Sequence, residues 1–259
     1  GQIVIGEGEL DEAPMLYIGE KLGTNKGPEV DIAVDPLEGT NFAANNLPGA
    51  LSVIAISEKN NLFKAPETYM EKISTRVNEK NVIDLDFTVK QNISNLSDYL
   101  NKKPENLTAC ILDRPRHEEL IHQVRSTGAR IKLIPDGAVS AVIATSIDDS
   151  GIDLYMGVGG SPEGVLAAAA LRCLGGKIYT KLIYEDNQSF ERAKKMGVIS
   201  KNQVFKTNDL AKGDVMFSAT GVTDGALLKG VRIDKDNAYT HSVVMRSETS
   251  TIRYINAKH

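Results

Sequence analysis

The stretch Val-Asp-Ile-Ala-Val-Asp-Pro-Leu-Glu-Gly-Thr, residues 30–40, contains a short apolar strand followed by an acidic turn. Val30, Ile32 and Val34 alternate as the buried face of a strand does. Pro36 has no N–H group with which to continue the ladder of hydrogen bonds. The sequence therefore predicts that Asp35 lies at the end of a strand.

The turn after this strand is rich in oxygen ligands. Glu38 lies three residues beyond Asp35, Gly39 lets a ligand approach the backbone closely, and Thr40 adds a hydroxyl group. Two carboxylates and a hydroxyl suit a hard divalent cation, which takes oxygen ligands and shares them with substrate phosphate. A solvated turn without any ligand explains the same composition, because Asp, Pro and Gly are common in turns.

A second strand with an acidic end lies upstream. The apolar residues 2–5 run into Gly-Glu-Gly-Glu, which places Glu7 and Glu9 after a strand in the same arrangement. Two strands that deliver carboxylates at their ends indicate a site for more than one metal ion.

Together these segments resemble a known family. Ile-Gly-Glu-Gly-Glu-Leu-Asp-Glu-Ala-Pro-Met-Leu-Tyr-Ile-Gly-Glu at residues 5–20, followed by Asp-Pro-Leu-Glu-Gly-Thr at residues 35–40, is similar to the class II fructose-1,6-bisphosphatases of bacteria. That family belongs to the lithium-sensitive, magnesium-dependent phosphatases, which share Asp-Pro-(Ile/Leu)-(Asp/Glu)-Gly-(Thr/Ser). The short signature does not separate a bisphosphatase from an inositol monophosphatase, whereas the longer upstream run is far more specific.

Composition favours a globular protein that binds a small molecule. The chain of 259 residues has 25% charged residues and a net charge of −4, without the basic stripe typical of nucleic-acid binding. Its apolar runs are too short to span a bilayer, so we expect no membrane partner. Cys110 and Cys173 lie in apolar segments and are predicted to be buried free thiols, which fits a cytoplasmic protein. Because the chain opens within a strand, we expect further residues before Gly1.

The periodicity of apolar residues predicts the following elements. Helices are expected at residues 11–22 (capped by Asp11), 66–73, 89–100, 117–127, 139–144 and 162–174. Strands are expected at residues 2–5, 30–34, 50–57, 82–86, 108–112, 131–134, 152–156, 215–218, 239–245 and 251–255, with a glycine turn at 157–160. The alternation indicates a layered α/β protein.

Three further turns carry candidate binding residues. Arg114-Pro115-Arg116 follows a predicted strand, and such guanidinium groups bind phosphate with two hydrogen bonds, although an exposed arginine pair is often structurally neutral. Asp136 can bind sugar hydroxyls or cap the helix that follows it. Gly-Gly-Ser-Pro-Glu-Gly at 159–164 opens a helix, where Glu163 can bind a metal ion or merely complement the helix dipole.

The resemblance implies a fold, a site and a reaction. The fold is an α/β/α/β/α sandwich of the sugar-phosphatase type, with a metal-binding lobe at 1–87 joined by strands from 208–259, and a sugar-phosphate-binding lobe at 88–207. The implied metal ligands for Mg²⁺ or Mn²⁺ are Glu7, Asp35, Glu38 and Glu163. The implied catalytic residues are Thr40, Glu38 and Asp35. The implied substrate-binding residues are Glu38, Gly39, Thr40, Tyr69, Arg114, Pro115, Arg116, Asp136, Gly137, Ala138 and Gly160.

The implied reaction is hydrolysis of the 1-phosphate of fructose 1,6-bisphosphate in gluconeogenesis by a homo-oligomer. Alternatives are sedoheptulose 1,7-bisphosphate or an inositol phosphate as substrate, or a sugar-phosphate-binding protein without catalysis. The family usually has an acidic residue at Ala138, a longer link between Tyr184 and Phe190, and a helix before Gly1 with another acidic ligand. These departures leave the details of the pocket open.

Overall fold

Two β-sheets with helices between them form the part of the chain that the computed structural model describes, residues 1–8, 14–24 and 26–259. The strands are β1 (Gln2–Ile5), β2 (Val30–Glu38), β3 (Leu51–Glu58), β4 (Tyr69–Thr75), β5 (Thr108–Leu112), β6 (Arg130–Ile134), β7 (Leu154–Gly160), β8 (Lys177–Leu182), β9 (Val204–Lys206), β10 (Val215–Gly221), β11 (Arg232–Asp234), β12 (Asn237–Arg246) and β13 (Thr251–Lys258). The helices are α1 (Thr40–Ala44), α2 (Val89–Leu100), α3 (Glu118–Ser126), α4 (Ala138–Ala144), α5 (Ser161–Leu174), α6 (Asn187–Lys195) and α7 (Thr207–Leu210).

Both sheets mix parallel and antiparallel pairs. The first has the order β1-β2-β3-β10-β12-β11, with β13 also paired to β12, and only its β1–β2 pair is parallel. The second has the order β6-β5-β7-β4-β8-β9, with β5 parallel to both of its neighbours. This layered α/β architecture confirms the predicted fold class.

Helix α5 packs between the two sheets. It contacts β2, β3 and β10 of the first sheet and β4, β7 and β8 of the second. Residues 167–170 are four consecutive alanines with at most 1% exposure. Small side chains on every side of the helix let both sheets approach it closely, so one apolar core includes residues of both sheets.

The outer faces of the sheets are covered differently. Helices α2 and α3 bury Ile93 and Val124 against Ile73 and other residues of the second sheet. On the first sheet, Leu16 and Leu22 pack against an apolar face that includes Ile3.

The helix predicted from Asp11 to Leu22 is wrong over its described part, because residues 14–22 are not helical. The segment follows β1 instead: Ile3 N donates to Glu20 O at 2.9 Å, and Gly19 N donates to Ile3 O at 2.9 Å. Asp11, the predicted cap, and Glu9 lie outside the described residues.

Two further predictions of element type are wrong. Residues 69–73 of the predicted helix 66–73 belong to strand β4, because pairing with β7 and β8 on both edges outweighs local helical spacing. Residues 82–86 form turns rather than a strand. Their polar backbone groups bond to a side chain, since Asn92 accepts from Asp84 N and donates to Asp84 O, both at 2.9 Å.

Two boundaries also differ from the prediction. Strand β2 continues past Pro36 to Glu38 because the pairing with β3 shifts between Asp35 and Glu38, an irregularity that accommodates proline. Strand β7 extends to Gly160, so residues 157–160 are strand and not a turn.

Other predicted features agree with the structure or extend it. Cys110 and Cys173 are buried free thiols, as expected. Strand β4 pairs in the second sheet although it lies in the range assigned to the first lobe, and the division into lobes stays a prediction. Within the described ranges, every helix is too short or too polar to cross a membrane.

Candidate active site

The last four residues of β2 carry two carboxylates, Asp35 and Glu38. Asp35 is half-buried, and its Oδ1 accepts from Leu37 N at 3.0 Å. Glu38 is buried at 5% exposure. Gly39 then adopts a φ of 80°, in the left-handed region, and a Cβ there would lie 2.7 Å from the Phe42 ring. Glycine is therefore required for the chain to turn here into α1.

This turn faces the turn between β6 and α4. Glu38 Oε1 accepts from Val139 N of α4 at 2.6 Å, and Asp136 Oδ2 accepts from Asn41 N of α1 at 3.0 Å. Glu38 thus bonds to the first turn of α4, the helix that follows Asp136. Asp136 in turn bonds to the first turn of α1, the helix that follows Glu38. The alternative in which Asp136 caps its own helix is not seen, since Gly137 occupies the cap position without a side-chain bond.

Burial and the charges of neighbouring acids raise the pKa values of Asp35 and Glu38. Burial first, and then the charges of Glu163, Glu7 and Asp136, raise the pKa of Asp35 to about 6. Burial first, and then the charges of Asp35, Glu163 and Asp136, raise the pKa of Glu38 to about 8. Because the charges of these acids act on Asp35 and Glu38, the acids lie close enough together to interact electrostatically. We call Glu7, Asp35, Glu38 and Glu163 the acidic cluster.

The chemistry of the acidic cluster fits a hard divalent cation. All of its donors are carboxylate oxygens, which Mg²⁺ and Mn²⁺ prefer. Glu163 Oε2 is buried and has no hydrogen-bond partner within the described part of the chain. In the same ranges, no three acidic, histidine or cysteine side chains are close enough to form a ligand set. The donor types and the unpartnered Glu163 oxygen thus support a cation. The described carboxylates are not close enough together in this structure to form a ligand set.

A buried lysine, which sequence reasoning missed, borders the acidic cluster. Lys72 of β4 is only 2% exposed, and its Nζ donates to Gly160 O at 2.6 Å. Burial lowers its pKa to about 8, while Glu163 and Glu38 act in the opposite direction. The interpretation of residues 66–73 as helix hid this position. If residues 69–75 are read as a buried strand, a lysine within it indicates a functional charge.

Arg116 and Tyr69 meet on the second sheet beside Lys72. The Arg116 guanidinium lies 5.0 Å from the centre of the Tyr69 ring. Its Nε and Nη2 both donate to Val158 O, at 3.2 and 3.0 Å. Tyr69 pairs with Gly160 across the sheet, and both Arg116 and Tyr69 are exposed. The structure therefore brings three of the predicted substrate-binding residues together.

The remaining predicted residues are placed less directly. Arg114 bonds to the carbonyl of its neighbour Asp113 at 3.2 Å, and Pro115 begins a single turn of 3-10 helix that leads into α3. Ala138 is buried at the start of α4 and supplies no polar contact. Thr40 is exposed at the start of α1, and its hydroxyl makes no hydrogen bond within the described residues.

Comparison with known proteins agrees with this geometry. A family model described as bacterial fructose-1,6-bisphosphatase, glpX-encoded, matches residues 1–259. A D-fructose 1,6-bisphosphatase class 2/sedoheptulose 1,7-bisphosphatase of Synechocystis sp. is 43% identical, covering 100% of this chain and 82% of the relative. Proteins of the same name from Prochlorococcus marinus and Microcystis aeruginosa are each 42% identical with the same coverage. This chain therefore belongs to the bacterial fructose-1,6-bisphosphatase family and is a phosphoric monoester hydrolase.

Proposed function

We propose that the chain hydrolyses the 1-phosphate of fructose 1,6-bisphosphate to give fructose 6-phosphate and phosphate, in gluconeogenesis. The observation that supports this most directly is the arrangement of charge. The acidic cluster interacts electrostatically with Lys72, which also interacts with Arg116, and Arg116 stacks on Tyr69 of the second sheet. A substrate with two phosphates needs both a reacting site and a remote anion site.

We assign the acidic cluster to the metal. Glu7, Asp35, Glu38 and Glu163 would hold Mg²⁺ or Mn²⁺. When bound, such a cation neutralises phosphate oxygens and lowers the pKa of water. Lys72 would share these carboxylates with the metal, since Glu163 and Glu38 both interact with its amino group.

Thr40 would orient the attacking water. Its exposed hydroxyl is free of hydrogen bonds to the described part of the chain, so it remains available to solvent. Asp35 or Glu38, which precede Thr40 by five and two residues, would accept the proton of that water.

Arg116 would bind the remote phosphate, with Arg114, Pro115 and Tyr69 beside it. Two of its N–H groups are used on Val158 O, which fixes the plane of the guanidinium and leaves the others for a ligand. The sugar would contact the remaining predicted residues, Gly39, Asp136, Gly137, Ala138 and Gly160.

A second substrate is supported by the relatives. Their names include sedoheptulose 1,7-bisphosphatase. An inositol monophosphate is less consistent with the site, because it would leave Arg116 without a phosphate. We further propose that the protein is cytoplasmic and homo-oligomeric.

A phosphate-release assay tests the proposal. We expect release from fructose 1,6-bisphosphate with Mn²⁺ or Mg²⁺ and none with EDTA, and slower release from inositol 1-phosphate. Arg116→Ala should raise KM by about 10- to 150-fold, which corresponds to about 1.5–3 kcal/mol for hydrogen bonds to a charged group. Arg125→Ala on the exposed side of α3 serves as the control. Binding of the bisphosphate without release would favour the non-catalytic alternative.

A further inference from the structure

His117 is buried with both ring nitrogens in hydrogen bonds. It is 1% exposed, its Nδ1 lies 2.7 Å from Leu112 O, and its Nε2 lies 2.8 Å from Val158 N. A backbone N–H can only donate and a carbonyl can only accept. Nε2 must therefore be the acceptor and Nδ1 must carry the proton, which fixes one neutral tautomer.

Val158 connects this imidazole to Arg116. Its N–H donates to His117, and its carbonyl accepts from Nε and Nη2 of Arg116. Both backbone groups of Val158 thus bond to side chains of the consecutive residues Arg116 and His117.

Gly157 makes this approach of the imidazole possible. Its φ of 148° is rarely adopted by residues with a side chain, and a Cβ there would lie 3.1 Å from His117 Nε2. The glycine precedes Val158 in a strand, where glycine ordinarily weakens the ladder. Its presence is explained by the space that His117 requires.

The guanidinium has room to leave this position. A cavity of about 400 Å³ borders it and is lined by Lys72, Arg116 and His117 among others. Since Arg116 is itself exposed, only the Val158 carbonyl and the Tyr69 ring hold it within the described residues.

We propose that His117 is a positioning residue, which orients the Arg116 guanidinium through Val158 and so sets the affinity for the remote phosphate. This inference rests on the proposed function of Arg116. His117 does not touch the substrate, and its loss should weaken binding at the remote site without changing the reacting site.

Two conservative substitutions separate its two hydrogen bonds. The amide of His117→Asn reaches only the position of Nδ1, so it keeps the bond to Leu112 O and loses the bond from Val158 N. The amide oxygen of His117→Gln reaches the position of Nε2 and keeps an acceptor for Val158. His122→Asn, on the exposed face of helix α3, whose N-cap is His117, is the control.

Inhibition by two products reports on the two sites separately. Fructose 6-phosphate carries only the remote phosphate, whereas inorganic phosphate reports on the reacting site. We expect His117→Asn to raise the inhibition constant of fructose 6-phosphate and the KM of the bisphosphate at least tenfold, with kcat and the inhibition constant of inorganic phosphate within twofold. His117→Gln should recover most of this loss, and His122→Asn should behave as the wild type.

A double-mutant cycle with Arg116→Ala completes the test. If His117 acts through Arg116, the double variant should bind fructose 6-phosphate no more weakly than Arg116→Ala alone. Additive losses, or an unchanged inhibition constant in a folded His117→Asn protein, would overturn the proposal. Lack of phosphate release by the wild type would instead overturn the proposed function. If His117→Asn does not fold, His117→Met, which has only a weak acceptor, replaces it: a loss of binding in His117→Met that His117→Gln lacks supports the role of Val158, and normal binding in both variants overturns it.

Discussion

Asp35 and Glu38 are held near neutral pKa values by burial and by the acids around them. Neither carboxylate takes part in any of the ion pairs between described residues. Repulsion among the carboxylates of the acidic cluster therefore destabilises the metal-free protein, and a bound cation would reduce this repulsion.

We expect the metal-free protein to lose stability as pH rises. The pKa values are raised from 3.8 to about 6 for Asp35 and from 4.5 to about 8 for Glu38, so the folded state retains protons that the unfolded chain has released. The free energy of unfolding should fall between about pH 4 and 8. Urea denaturation in EDTA at several pH values measures this. Asp35→Asn should flatten the dependence, whereas the exposed Asp98→Asn should not; equal slopes in the wild type and Asp35→Asn would contradict the prediction.

Asp35→Asn should also separate metal binding from folding. Losing one ligand charge should abolish activity that depends on Mn²⁺ and remove the increase in Tm that Mn²⁺ gives the wild type. The metal-free Tm should not fall, because one source of repulsion is gone. A normal Mn²⁺-dependent increase in Tm in the variant would show that Asp35 is not a ligand.

Thr40 tests the proposed role of a hydroxyl that acts only in the reaction. Thr40→Ala should reduce kcat by about 10²-fold or more with little change in KM, since ground-state binding is unaffected. Thr40→Ser should retain part of the rate because the hydroxyl remains. A threonine with a structural role would instead give small losses of rate in both variants and a lower Tm.

At the scale of elements, β7 and α5 form the centre of the site. Strand β7 carries Val158 and Gly160, and α5 follows at once with Glu163 in its first turn. The contact of α5 with β4 is close, because a Cβ on Gly164 would lie 2.4 Å from Met70 Sδ and 3.4 Å from Lys72 Cε.

Gly164→Ala should therefore destabilise the protein and disturb Lys72. Overpacking of this kind costs about 1–3 kcal/mol. Measured by urea denaturation, the loss should be accompanied by a lower kcat, because Lys72 holds Gly160 beside the acidic cluster. Ala168→Gly, in the same helix, lowers helix propensity without overpacking and serves as a control for effects of stability alone. Unchanged stability and kcat in Gly164→Ala would contradict this account.

The sequence predicted elements well where periodicity was clear and one face was buried. Helices α2 and α5 and strands β3 and β5 were predicted within a residue or so of their ends. Strand β4 was not, because six of its seven residues are buried or half-buried, and continuous burial removes the alternation that identifies a strand. The glycines of β7 suggested a turn because the contact that requires one of them, with His117, is distant in sequence.

The candidate site was predicted from the resemblance and from the acidic turns. The structure adds contacts between residues that are distant in sequence. The motif at residues 35–40 was recognised because its candidate ligands lie within six residues of one another. The roles of Lys72 and His117 depend on partners 88 and 41 residues away, at Gly160 and Val158. Contacts of this separation arise only when the second sheet is assembled.

At the scale of the whole molecule, the two sheets share one apolar core. Residues of the first sheet such as Val53 and Phe217 belong to the same buried group as Met70 and Ile178 of the second, joined through α5. The reciprocal bonds between the turns at Glu38 and Asp136 connect the two halves again at the site.

We expect a single cooperative unfolding transition for the chain. The two lobes predicted from the sequence cannot each keep a core when α5 is shared between them. Circular dichroism and tyrosine fluorescence should give coincident urea transitions, with the calorimetric enthalpy equal to the van't Hoff enthalpy. Two separated transitions would show that the lobes fold independently.

We expect the four alanines of α5 also to affect how long a sugar the chain accommodates. The helix packs between the sheet that carries Asp35 and the sheet that carries Tyr69 and Gly160, so its thickness would set the span between the two proposed phosphate sites. A larger side chain, as in Ala168→Val, would move the sheets apart at a cost of about 1–3 kcal/mol. The ratio of kcat/KM for a seven-carbon over a six-carbon bisphosphate should then rise. In that case the preferred carbon-chain length is determined by a buried helix that never contacts the carbon chain itself.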